Sequence, residues 1–161
     1  MDGKNVKMKR LLILGIAILM SCTATPSQKS SDMQGNVELL VSESQGGTDQ
    51  VGFKIIKNEQ EFRNSIKGSF GLVELKKEPS VNYPKFPKNK KVIFYQMGSF
   101  RSGSHRVTSI KNVSVKNNIL YVEIPAVESG GMEIQMLSNP WFIFAVPSDY
   151  QFTSVELKYS N

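Results

Sequence analysis

Few side chains in this 161-residue chain can do chemistry, because it holds one His, one Cys and one Trp. A single His builds no multi-His metal site, and a single Cys forms neither an internal disulfide nor a CxxC pair. His105 with one of the many serines is the only nucleophile–base pairing on offer, and no orienting acid is identifiable beside it in the sequence. A solvent-facing strand residue next to Arg106 is the plainer reading of His105. GxSxG, Walker and HExxH patterns are absent. Glu123, Glu128 and Glu133 have no spacing that fixes a carboxylate pair. Lys88, Lys90 and Lys91 form a basic cluster suited to phosphate or lipid headgroups, or simply to solvent ahead of a strand. These residues predict a non-enzyme with no cofactor and no metal.

Cys22 is the residue with the clearest chemistry. Lys4, Lys7, Lys9 and Arg10 precede ten uncharged residues, Leu11 to Met20, and Ser21-Cys22 follows. A basic segment followed by a short apolar one reads as an export signal, and ten residues fall short of the roughly 20 that span a bilayer. Leu19-Met20-Ser21-Cys22 resembles the lipobox of bacterial lipoproteins, with Met20 as a departure. That resemblance implies removal of residues 1–21 and acylation of Cys22. An uncleaved anchor or a buried free thiol is the alternative. In a bacterial lipoprotein the sequon-like Asn112-Val113-Ser114 carries no weight as a glycosylation site.

From Cys22 onward the charge falls from +6 to +3, since residues 1–21 hold four of the 20 bases and one of the 14 acids. The basic balance therefore reports export in part, and nucleic acid is not the expected partner. Residues 22–35 are rich in Ser, Thr, Pro, Gly and Gln and read as a flexible tether. Thr23 is not Asp, the residue that commonly retains lipoproteins at the inner membrane, so the resemblance implies the outer membrane.

Residues 36–161 suffice for one core. Val37 to Ser42 and Val51 to Lys57 are β-type runs around Gly46-Gly47, which predicts a hairpin. Asn58 to Lys67 predicts a helix capped by Asn58, with Glu59 and Glu61 in its first turn, Phe62 and Ile66 on one face, and Gly68 as its stop. Val92 to Met97 is nearly continuous apolar and predicts a central strand covered on both faces. Arg106 to Val115 predicts a strand with a bulge or two used faces, because Ile110 breaks the register of Val107, Val113 and Val115. Asn117-Asn118 predicts the turn into Ile119 to Ile124. Trp141 to Pro147 and Ser154 to Tyr159 complete the set. The fold class expected is mainly β: an antiparallel sandwich or partly closed barrel of seven to eight strands with one packed α-helix.

The pieces NEQEFRNSI (58–66), YPKFPK (83–88), VIFYQMG (92–98), RSGSHRV (101–107), NNILYVEIP (117–125) and SNPWFIFAVP (138–147) together resemble the C-terminal domain of the protease complex subunit PrcB family. Where that family's turn has a second Gly and a Tyr, this chain has Ser104 and His105. The resemblance implies an outer-membrane lipoprotein that docks or stabilises a protease complex and is not itself a protease. A second resemblance is to chagasin-type protease inhibitors, an Ig-like sandwich with three loops at one end. Ser102-Gly103-Ser104-His105, Ser129-Gly130-Gly131 and Asn139-Pro140-Trp141 follow the same loop order. The last two loops are closer in sequence than that family's spacing, and Trp141 opens an apolar strand, where core burial is the better reading.

The expected function is binding of another envelope protein, such as a secreted or surface protease. The candidate surface is Phe100, Arg101, Gly103, Ser104 and His105, then Gly130 and Gly131 within Glu128 to Met132, then Asn139, Pro140 and Trp141. Plain connection of strands is the competing role for all three loops. Mass spectrometry of the native protein is expected to find an acylated Cys22 as the first residue. An unmodified thiol with residues 1–21 still attached overturns the anchor.

Overall fold

The computed structural model describes residues 37–69, 84–101, 103–126 and 137–161. The signal segment, Cys22, the tether, and the loop with Gly130 and Gly131 lie outside the described residues. Seven strands and one helix are described: β1 (Glu38–Glu43), β2 (Val51–Ile56), α1 (Glu59–Ser69), β3 (Lys90–Met97), β4 (Asn112–Lys116), β5 (Ile119–Pro125), β6 (Trp141–Pro147) and β7 (Ser154–Ser160). One sheet has the order β1-β6-β3-β2 and the other β4-β5-β7. The sheets stay separate, so the fold is a mainly β sandwich and not a closed barrel.

The apolar runs of β3 and β6 explain the layering. Side chains alternate across a strand, and here both faces of both strands are buried. Ile93, Tyr95 and Met97 with Phe142, Phe144 and Val146 meet the second sheet at Val113, Leu120, Val122, Ile124 and Val155. Val92 and Phe94 with Trp141, Ile143 and Ala145 meet Phe62 and Ile66 of the helix. The first sheet is therefore the middle layer, with α1 on one side and β4-β5-β7 on the other.

Helix α1 begins where Asn58 can satisfy its free amides. Asn58 Oδ1 accepts from Glu61 N at 2.9 Å, and Glu61 Oε2 accepts from Lys57 N at 2.9 Å. This reciprocal cap closes the first turn. Lys54 Nζ lies 2.6 Å from Glu61 Oε1 and ties the helix back to β2. The Lys54 ammonium and the Lys57 amide hold the Glu61 carboxyl below its ordinary pKa. The helix runs on to Ser69, so Gly68 does not stop it.

Three further expectations need correction. β1 and β2 form no hairpin: β1 pairs with β6, β2 pairs with β3, and they occupy opposite edges of one sheet. Residues 44–50 instead cross the ends of β6 and β3, a span of three strand spacings or roughly 14 Å. The strand expected from Arg106 begins only at Asn112. Val107 is buried, but its segment passes from one sheet to the other, and Arg106 Nε donates to the β1 carbonyl of Ser42 at 2.8 Å. Lastly, the sandwich is not wholly antiparallel. β5 and β7 pair in parallel from Ile119↔Ser154 to Pro125↔Ser160, because the chain visits the first sheet as β6 between them.

The β4–β5 hairpin stands as expected, with Asn117 and Asn118 at φ 53° and 61°. Asn tolerates this left-handed backbone better than most residues. Removing the Phe62 ring leaves a cavity between α1 and the first sheet, so Phe62→Ala is expected to cost about 3–5 kcal/mol. Asn58→Ala loses one side of the cap and is expected to cost about 1 kcal/mol. Urea unfolding midpoints measure both, and the larger loss belongs to Phe62.

Candidate functional site

The loops of interest meet at one end of the sandwich. Register fixes this: Trp141, the first residue of β6, lies opposite Gln96 near the end of β3 and opposite Glu43 at the end of β1. Residues leaving β3, entering β6 and leaving β1 therefore share an apex. Sequence reasoning paired the first two and missed the third.

Backbone bonds lock the apex. Phe100 N donates to Ser138 O and Ser138 N to Phe100 O, both at 2.9 Å, a short antiparallel bridge. Asn139 Nδ2 donates to Ser99 Oγ at 2.7 Å, and Met97 N donates to Pro140 O at 3.0 Å. From the β1 side, Gly47 N donates to Asn139 O at 2.9 Å and Gln45 Nε2 to Leu137 O at 3.2 Å. Trp141 Nε1 donates to Gln45 O at 2.8 Å. Buried polar groups are costly unless paired, and here the indole N–H and backbone groups at the ends of three strands are paired, while the buried Ser138 hydroxyl has no hydrogen-bond partner.

The predicted residues take different places around this apex. The Phe100 and His105 rings stack, with centroids 3.8 Å apart and planes at 23°. Phe100 packs on the core below, so the stack is seated on the sandwich. Arg101 and Ser104 are exposed, and Gly103 takes a left-handed φ of 71° in the turn between the rings. Asn139 is half-buried and serves the apex through its hydrogen bonds. Pro140 is buried, and Trp141 is 0% exposed against Phe94, with ring centroids 5.3 Å apart. Those two hold the apex from beneath and offer no outer surface. Trp141 is thus a core residue, as its place at the head of an apolar strand suggested. Gly130 and Gly131 lie outside the described residues.

Two features escaped sequence reasoning. Leu137, next to the Phe100–Ser138 bridge, is 60% exposed. Its signal was the apolar Met136-Leu137 pair just before Ser138-Asn139-Pro140. Gly46-Gly47 read as a hairpin turn, whereas Gly47 lets the β1 exit press against β6. A Cβ at Gly47 would stand 2.6 Å from Asn139 O.

This arrangement holds a fixed apolar and aromatic surface, suited to contact. Among the described residues no group of three His, Cys, Asp or Glu side chains stands ready to hold a metal ion. No protein-family model, no curated protein and no solved structure matches this chain. Gly47→Ala is expected to push the β1 exit off Asn139, since neither backbone can yield without breaking a bond. The expected loss is about 1–3 kcal/mol, with faster amide exchange at Gly47 and Met97 as the local readout. Unchanged exchange there counts against a coupled apex.

Proposed function

We infer that this chain is a lipoprotein, acylated at Cys22 and held at the outer membrane by its tether, whose sandwich binds and stabilises another envelope protein. A protease complex is the partner favoured by the PrcB-like pieces of the sequence. The observation that carries the binding reading is the pre-set apex: an exposed Leu137 next in the chain to Ser138, which is bridged to Phe100 of the stacked Phe100–His105 pair, on backbone bonded across three chain segments. Rigid apolar and aromatic anchors lose little entropy on binding, and a few such residues carry most of an interface's energy. The role is contact without catalysis.

The inhibitor reading loses its main anchor. It needs a Trp presented to a protease cleft, and Trp141 is packed on Phe94 and hydrogen-bonded to Gln45. Micromolar protein is accordingly expected to leave papain-like proteases at full rate.

Affinity purification from native membranes tests the binding reading. Wild-type bait is expected to bring down an envelope protein, with a protease complex first among the candidates. Leu137→Asp, at an exposed position, is expected to weaken capture by about 2 kcal/mol, roughly thirtyfold. Recovery of bait alone, or capture indifferent to Leu137, removes the apex as the binding surface.

A further inference from the structure

The two outer edges of the first sheet differ. On β1 the register shifts between Leu39 and Val41, and Arg106 bonds to Ser42 O, so a bulge and a charged side chain blunt that edge. On β2 the register against β3 is unbroken from Val51↔Met97 to Ile56↔Val92, and among the described residues β3 is its one ladder neighbour. An edge without a bulge, here carrying Lys54 as its one charge, offers backbone donors and acceptors to another strand.

The side chains of β2 divide by face. Val51, Phe53 and Ile55 share the face toward the second sheet, where Phe53 packs on Phe152 with centroids 6.1 Å apart. Val51 is 65% exposed and Ile55 36%. The other face carries Gly52 and Lys54. There a groove of about 560 Å³ opens, lined by Gly52, Lys54, Asn64, Ser65, Phe94 and Gln96 among others, and nothing lies within 4 Å of a Cβ built on Gly52.

The geometry points to a second copy of this chain as the occupant of this edge, its own β2 pairing antiparallel about a two-fold axis through Phe53. Facing residues of an antiparallel pair share a face. Centred on Phe53, Val51 faces Ile55 of the second copy, Phe53 faces Phe53, and Gly52 faces Lys54. Apolar side chains then meet along one face. On the other, the bare Gly52 of each copy leaves room for the facing Lys54, whose ammonium stays paired with Glu61 of its own helix. Centring on Lys54 instead would set two ammonium groups face to face, which is destabilising. The alternation is therefore self-complementary in this register, as a two-fold interface requires. This inference is independent of the apex: loss of partner capture leaves it untouched.

Sedimentation equilibrium of the full-length chain in mild detergent, from micromolar to near-millimolar protein, is the test. The mass is expected to approach that of two chains, and the β2 amides are expected to slow in exchange as concentration rises. Gly52→Glu faces Lys54 across the axis and is expected to tighten the dimer at least fivefold. Gly52→Lys, with the same open space, is expected to weaken it at least as much, and Ile55→Lys to abolish it. Thermal melts of each variant check folding, and loss of fold cannot produce opposite effects of the two charges. A chain that stays monomeric overturns the inference, as does a dimer indifferent to charge at position 52. Protection of β2 in a monomer assigns the edge to the chain's own residues, and capture of a different protein lost on Ile55→Lys assigns it elsewhere. Either result also overturns the second copy.

Discussion

Everything in this fold follows from two adjacent strands whose apolar side chains on both faces need cover. β3 and β6 are apolar on both faces, and they lie side by side in the middle of one sheet. A single sheet cannot shield them, since each face needs its own layer. Helix α1 supplies one layer through Phe62 and Ile66, and β4-β5-β7 supplies the other. Both layers are thin: an eleven-residue helix and a three-stranded sheet. Neither has much intrinsic stability, so each is held by the strands it covers.

The same two strands build the apex. Trp141 is at once the head of β6, a ring packed on Phe94, and an N–H donor to Gln45. The β1 exit, the Phe100 segment and the Ser138–Pro140 entry are bonded through or around that position. The surface above it inherits the rigidity of the core below. Phe100 joins the two, with its ring on the core and His105 stacked on it.

Glycine acts in this sheet by what it leaves empty. At Gly47 the missing side chain lets two backbones touch, and at Gly52 it leaves open space along an edge strand. The first closes a contact and the second keeps one available. The contrast with β1, bulged and bonded by Arg106, shows that the sheet's two edges obey different constraints.

The sequence by itself determined the local elements. Asn58 with Glu61 marked the helix start, Asn117-Asn118 the tight turn, and the unbroken apolar runs the doubly covered strands, because each signal depends on neighbours in the chain. Burial of Trp141 was also readable from its place at the head of such a run. Pairing was not readable. β1 and β2 are separated by a Gly-Gly step that fits a hairpin as well as a crossover, and only contact with Asn139 ahead of β6 decides between them. The parallel β5–β7 pair and the Leu137 surface were hidden for the same reason. Periodicity tells which face of a strand is apolar, whereas the neighbour that covers that face comes from distant sequence and exists only once the layers have packed.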